Sequence, residues 1–484
     1  MRANKPFYIT TTLPYVNADP HIGFAVEIIR ADVIARYRKL SGREVFFNTG
    51  TDEHGQKIYL AAKAAGRDPQ SFVDDLAEKF RALRGTLNLL PDLNFTRTTD
   101  PHHIRAARQF WNVCHKNGFI YKKNYQVKYC VGCELPKTES ELENGRCPVH
   151  SNLKIELIEE ENYFFKFSAF ADKLLRLYES RPDFVVPAKR FGEIKVFVSR
   201  GLQDFSISRL KSKMPWGIEV PGDGEQVMYV WFDALVNYIS AVGWPDDPEK
   251  FNKWQVESGG MVQYCGKDNL RQQSAMWQAM LMAAGLPPSR QIVIDGFITG
   301  EGGAKMSKSL GNVVSPFEIV AEYGADALRY FVCRELHPFE DSPFTMERFR
   351  QAYNANLANG LGNLTSRLMR MAAQAGVKID LPEKAGDRKP PPAWRDLETF
   401  EINKTTDRIW EKITVCDKKI QEKKPFEKIK TAPAEARADI RSLLEDLGEI
   451  AFELSPILPA AAGKIGEAIT SAVPLAKPLF PKKE

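Results

Sequence analysis

Four residues in the stretch YCVGCELPKTESELENGRCPVH have the types and spacing of a metal site. Cys130 and Cys133 are separated by two residues, as are Cys147 and His150, so each pair can bite one ion from a tight turn. Thiolates and imidazole complete the closed tetrahedral set that zinc prefers, and four protein ligands leave no position for a reacting water. The spacing predicts a structural zinc ion; the competing reading is a loop of unrelated thiols.

A second set suits oxyanions. In GGAKMSKSLGNVVSP, Gly302 and Gly303 loosen a loop after an apolar strand. Lys305 and Lys308 there offer charge beside the hydroxyls of Ser307 and Ser309. Alone, this is also the pattern of an ordinary basic surface loop. Far upstream, LPYVNADPHIGF puts His21 and Gly23 in a turn at the mouth of a helical pattern, where the helix end favours an anion. Triphosphate chemistry needs donors on both sides of the reacting phosphate, and the two segments supply them if they fold to opposite walls of one cleft.

The elements that would position these groups are legible in the periodicity. PFYITTTLPYV is β-branched and aromatic, a strand, and runs into the turn NADPHIG. From Phe24 to Leu40 apolar residues recur near the helical period, and Gly42 stops the run. The order repeats in EVFFNTGTDEHG, a strand with a polar loop, and QKIYLAAKAAG, a helix. Such serial units predict a doubly wound parallel sheet that binds ligands at the carboxyl ends of its strands. Between about 115 and 220 the pattern breaks into short strands, turns and the cysteine cluster, an expected insertion. It resumes in VMYVWFDALVNYI, GMVQYCGKD and QIVIDGFITG. After Met346 helical patterns take over, read as a separate helical bundle.

Length and composition agree with several cores: 484 residues, 43% hydrophobic and 27% charged. No run approaches the roughly 18 apolar residues of a membrane span, and MRANKPFYITTTLPYV lacks a signal-peptide core, so the expected location is cytoplasmic with no membrane partner. Seven cysteines, four scattered singly, argue against a disulfide framework. Of the net charge of +5, four units lie from Met346 onward, where 24 Lys+Arg face 20 Asp+Glu. They concentrate in KKIQEKKPFEKIK around Phe426, either a solvated helix face or a surface for a polyanion such as nucleic acid.

Taken in order, PYVNADPHIGF, TGTDEHG, the zinc knuckle, YVWFDALVNYI, GKD and KMSKS resemble the class I aminoacyl-tRNA synthetases, and among these the methionyl-tRNA synthetases, over about residues 5 to 470. The resemblance implies an α/β fold: a Rossmann-type catalytic domain in two halves, 1–115 and 221–345. Between them lies a connective insertion, 116–220, with its zinc knuckle at about 126–155. An all-α anticodon-binding domain, 346–484, follows. It implies ATP-dependent activation of L-methionine to methionyl-adenylate, with Mg2+ accompanying ATP, then transfer to methionine tRNAs. Both steps need positioning and charge stabilisation more than a protein nucleophile.

By motif position, the resemblance assigns His21, Lys305, Lys308 and Arg209 to catalysis. His21, Gly23, Gly266, Asp268, Lys305 and Lys308 would bind ATP, with Asp268 taking the ribose hydroxyls. Asp52 would pair with the substrate ammonium beside a side-chain pocket of Leu13, Tyr15, Trp231, Leu235, Tyr238 and Gln273. An apolar, aromatic box suits a polarizable thioether, though such residues are equally ordinary core. Asn363, Arg367 and Phe426 match anticodon contacts, Phe426 standing where the family has a stacking tryptophan; the plainer reading of Phe426 is a core residue of the bundle. The chain ends at PLFPKKE without the dimerising extension some relatives carry, which predicts a monomer.

Two positions depart from the family pattern. His-Ile-Gly-His becomes His-Ile-Gly-Phe, so Phe24 removes one polar contact, worth roughly 1.5–3 kcal/mol for a hydrogen bond to a charged group. In GKDNLRQQ, Asn269 and Gln273 replace Ile and His near the methionine side chain. The departures leave two alternatives: a paralogue that activates an amino acid for a non-tRNA acceptor, and a catalytically inactive tRNA-binding protein.

Overall fold

The computed structural model describes residues 5–133, 135–137, 139–300, 314–381 and 389–484. Its first strand, β1 (Phe7–Thr11), is buried throughout, as its aromatic and β-branched residues require. It leads through the turn into α1 (Ile22–Leu40), then β2 (Val45–Thr51), α2 (Gln56–Ala64), α3 (Pro69–Thr86), β3 (Asn94–Arg97) and α4 (Pro101–Lys116). Gly42 adopts φ 80°, the left-handed conformation that lets the chain leave α1 sharply.

The chain then forms an antiparallel region. The long strands β4 (Ile120–Cys130) and β6 (Glu156–Phe165) pair from Ile120↔Phe165 to Tyr129↔Glu156, with β5 (Leu135–Lys137) beside β4. β7 (Val185–Val186) returns to the central sheet, while β8 (Phe205–Ser206) closes the antiparallel one. β9 (Ser208–Leu210), β10 (Glu219–Val220) and β11 (Asp223–Met228) make a small three-stranded sheet. β12 (Val262–Gly266) and β13 (Gln291–Asp295) complete the central sheet, which is parallel in the order β3-β2-β1-β12-β13-β7.

That order reverses between β1 and β12, paired at Ile9↔Val262. Chains leaving two neighbouring strands in opposite lateral directions open a crevice at their carboxyl ends, the usual ligand position in such sheets. VMYVWFDALVNYI forms the end of β11 and the two short helices Val230–Ala234 and Asn237–Ser240, which wall this crevice.

From Met346 on, helices dominate the described residues, among them Asn363–Ala375, Ile402–Lys423, Pro425–Thr431, Pro433–Leu454 and Pro459–Ser471. They do not stand apart from the sheet. One apolar core runs from Phe7 and Ile9 through α1 to Leu444 and Ile465. The fully buried Arg329 pins the junction: its guanidinium donates to the carbonyls of Leu87, Pro456 and Ile457 and lies 2.7 Å from the Asp32 carboxylate. Among the described residues, no helix is long and apolar enough to cross a membrane.

Candidate active site and metal centre

The crevice is a cleft of about 710 Å3, within the ordinary range for small-molecule sites. Each wall comes from a strand end: Thr12 to Asp19 after β1, Asp52 after β2, Gly266 to Asn269 after β12, and Asp295 to Ile298 after β13. Trp231, Leu235 and Tyr238 close the apolar side, with Leu13, Tyr15 and Gln273. Thus all seven residues assigned to the side-chain pocket and ammonium, together with His21, Gly23, Gly266 and Asp268, line one cavity.

His21 caps α1 from the extended conformation, its Nδ1 accepting the Gly23 N–H at 3.1 Å. A Cβ on Gly23 would lie 2.9 Å from the imidazole Cε1, so glycine is what lets the ring fold over the helix mouth. Phe24 faces the cleft but also meets Phe80 of α3 edge-on, centroids 5.6 Å apart. The fourth position of the motif has become a packing contact. Lys305 and Lys308 lie outside the described residues, so the opposite wall of the expected pairing is not part of this geometry.

Arg209 sits elsewhere. It is buried, donates from Nη1 to Ser206 Oγ and the Ser208 carbonyl at 2.8 and 2.7 Å, and lies 4.3 Å from the Tyr229 ring centroid. It is not among the described residues that line the cleft.

The loop TGTDEHG divides its labour. Asp52 lines the cleft, whereas the buried Glu53 takes a two-pronged hydrogen bond from Arg97 at 2.7 and 2.8 Å. His54 Nδ1 lies 2.6 Å from Asp233 Oδ2, and His103 Nε2 lies 2.8 Å from Asp233 Oδ1. Burial alone would raise the Asp233 carboxyl, but the two histidines outweigh it and hold the group down to about 2. This network ties the β2 loop to the helix that carries Trp231.

Glu27 is a cleft residue the periodicity hides. It lies on α1 facing the end of β1, where its Oε1 accepts the Thr12 N–H at 2.7 Å and the Thr12 hydroxyl. Burial pushes its carboxyl up to about 8, despite the Thr12 hydrogen bonds. Asp295 at the end of β13 is also pushed up by burial, to about 6, with Arg30 3.3 Å away opposing the shift. The available signal was a carboxylate flanked by apolar residues, Ala25-Val26 before it and Ile28-Ile29 after it.

The cysteine cluster forms at the turn after β4. The donor atoms of Cys130, Cys133, Cys147 and His150 all lie within 4.8 Å of one another. Cys133 Sγ is 3.4 Å from Cys147 Sγ and 3.3 Å from His150 Nδ1. Thiolates about 2.3 Å from a tetrahedral ion stand roughly 3.8 Å apart, so the set fits one metal ion after minor adjustment. The knuckle also borders the cleft: Gly132, Cys133, Val149 and His150 line it, and Lys57 donates to the Gly132 carbonyl at 2.6 Å.

In the helical region, Asn363 is exposed, and Arg367 pairs with Asp417 at 2.6 Å. Phe426 is 45% exposed on its short helix, so it is not a core residue of the bundle. Around it, Lys419, Lys423 and Lys428 pair with Asp446, Asp439 and Glu435.

Comparison with known proteins fits this architecture. The family model for class I tRNA synthetases (M) matches residues 7–154 and 136–369. A methionine--tRNA ligase of Thermosynechococcus vestitus is 41% identical, covering 96% of this chain and 90% of the relative. One of Rhizobium meliloti is 37% identical over 100% of this chain and 99% of its own. The Mycobacterium tuberculosis methionyl-tRNA synthetase, solved in complex with methionyl-adenylate, superposes with a TM-score of 0.88 at 32% identity, covering 99% of this chain and 100% of that one. With the sheet, the cleft and the cysteine cluster all in place and relatives matched along nearly their full length, this chain belongs to the methionyl-tRNA synthetase family of the class I tRNA synthetases.

Proposed function

We propose that the protein is a methionine-tRNA ligase, which activates L-methionine with ATP and transfers it to the 3′ end of initiator and elongator methionine tRNAs. The observation that carries this reading is the single cleft at the β1/β12 reversal, where an aromatic pocket, an acidic group and a helix N-terminus meet. Methionine lies with its ammonium against Asp52 and its thioether among Leu13, Tyr15, Trp231, Leu235 and Tyr238. The α-phosphate of ATP is brought to its carboxylate at the mouth of α1, with the ribose on Asp268. ATP carries its own Mg2+.

His21 and the helix end stabilise the charge that builds as pyrophosphate leaves. Lys305 and Lys308 would serve the same purpose, and Arg209, which matches a further active-site residue of the family, would act with them although its side chain stands outside the cleft lining. Cys130, Cys133, Cys147 and His150 hold one structural zinc, which cross-links the knuckle beside the cleft. The domain division 1–115, 116–220, 221–345 and 346–484 belongs to the same reading, with Asn363, Arg367 and Phe426 meeting the anticodon. The protein works in the cytoplasm as a monomer.

Two assays test this. ATP–pyrophosphate exchange dependent on methionine, followed by charging of methionine tRNA, is expected. Exchange without charging would favour activation for a non-tRNA acceptor, and neither reaction would leave a tRNA-binding protein.

A further inference from the structure

The two short helices that wall the cleft cannot hold their own places. Val230–Ala234 has five residues and Asn237–Ser240 four, too few for internal hydrogen bonds to fix a helix, and neither has a side-chain cap. Trp231 and Tyr238 nevertheless stand on them, with Leu235 between, as the apolar side of the cleft. Asp52, the proposed partner of the ammonium, belongs instead to the frame of the sheet, where it bridges to Tyr15. A bound amino acid reaches from one to the other, so their separation matters.

Three buried side chains span that gap. Asp233, in the middle of the first short helix, turns its two oxygens to His54 Nδ1 at 2.6 Å and to His103 Nε2 at 2.8 Å. An ionised carboxylate only accepts, so both facing nitrogens carry hydrogen. His54 follows Asp52 by two residues, and Glu53 between them is locked to Arg97 at 2.7 and 2.8 Å, so the loop has little freedom of its own. His103, on α4, also reaches the second short helix, with its Nδ1 3.0 Å from Ser240 Oγ, and its neighbour His102 donates from Nε2 to the Ser240 carbonyl at 2.9 Å. His54, His103 and Asp233 are not among the described residues that line the cleft, so they act on its contents only through others. Buried ionic groups stabilise a fold little more than apolar packing would, and their best-attested use is to fix register.

We propose that His54, Asp233 and His103 are positioning residues that fix the distance between the Asp52 carboxylate and the wall of Trp231 and Leu235, so that the cleft discriminates its amino acid by the length from ammonium to side-chain tip. The proposal rests on the reading that the cleft takes methionine. One methylene changes kcat/KM by roughly 10- to 200-fold in a hydrophobic pocket, and that discrimination requires the two ends of the pocket to stay put. With His54 detached, the Trp231 helix can shift relative to the loop, and the distinction narrows.

The test compares methionine with ethionine, its S-ethyl homologue one methylene longer, in ATP–pyrophosphate exchange. His54→Leu removes the bond to Asp233. It is expected to raise KM for methionine about tenfold, to leave KM for ATP within about twofold of wild type, and to lower the methionine-to-ethionine ratio of kcat/KM by about tenfold. His54→Asn places an amide N–H where Nδ1 stood and should restore all three. His103→Leu and His103→Gln, whose amide replaces Nε2, form a second pair with the same expected pattern and serve if His54→Leu does not fold. A folded leucine variant with an unchanged ratio, or with KM for ATP raised in step with that for methionine, would overturn the positioning role, as would His54→Asn being as impaired as His54→Leu. Absence of exchange with methionine in the wild type would instead overturn the reading of the cleft itself.

Discussion

Tyr15 and Asp52 form an isolated parallel bridge just beyond the ends of β1 and β2, with the Asp52 N–H donating to the Pro14 carbonyl at 2.9 Å and the Val16 N–H to the Asp52 carbonyl at 3.2 Å. The bridge fixes an acidic group beside the aromatic pocket through main-chain bonds, so side-chain changes at 52 should leave the frame intact. A hydrogen bond to a charged group contributes roughly 1.5–3 kcal/mol. Asp52→Asn should therefore lower kcat/KM for methionine by roughly 10- to 100-fold, chiefly through KM, with little change in KM for ATP. Steady-state exchange kinetics check this.

Glu27 gives a pH prediction. Its folded value, about 8, lies above the ordinary value of 4.5, so the folded state holds a proton that the unfolded state releases. The associated stability is full below 4.5 and is lost as pH rises through 8. Glu27→Gln cannot ionise. Its thermal midpoint relative to wild type should climb between pH 5 and 8 and level off above, whereas a pH-independent difference would show that Glu27 is ionised in the fold.

Phe24 exchanges a polar contact for an edge-on contact with Phe80. Such aromatic pairs contribute about 0.5–1.5 kcal/mol beyond burial. Phe24→His should lower the thermal midpoint by a few degrees while raising kcat/KM for ATP. A variant that gains stability, or gains no rate, would show that the residue is not placed as a trade between the two.

At the knuckle, Cys130→Ser should remove bound zinc and lower stability, read by metal analysis and thermal melting. Because Gly132 and His150 border the cleft and Lys57 holds the Gly132 carbonyl, the same variant should also raise KM in the exchange assay. Unchanged metal content would remove the four-ligand assignment.

Phe426, exposed beside partly neutralised lysines, is available for stacking on an unpaired base. Phe426→Ala should raise KM for methionine tRNA by roughly tenfold while leaving pyrophosphate exchange unaltered, since each stacked base contributes about 1–3 kcal/mol.

The parts of the fold visible in the sequence were those set by local periodicity. α1 ends at Leu40 as the apolar spacing and Gly42 indicate, though it begins at Ile22, two residues before the spacing does, and the strand-loop-helix order gives the parallel sheet. What stayed hidden depends on partners distant in the chain. Glu27, Arg30 and Asp32 are charged residues of the kind that usually meets water, yet all three are buried, tied to Thr12, to the carbonyls of Leu336 to Pro338 and to Arg329. For the same reason the helical region reads as separate although it shares the core of the sheet. Motif order named seven pocket and ammonium residues that the fold brings to one cavity, and it named Arg209 by position alone; that side chain lies against Tyr229, outside the cleft lining.

The most direct measurement is ATP–pyrophosphate exchange by the wild-type protein with each of the twenty amino acids in turn. Robust exchange with methionine alone, abolished or cut by orders of magnitude in His21→Ala, is the predicted result. No exchange with any amino acid, or exchange driven by one other than methionine, would contradict the account.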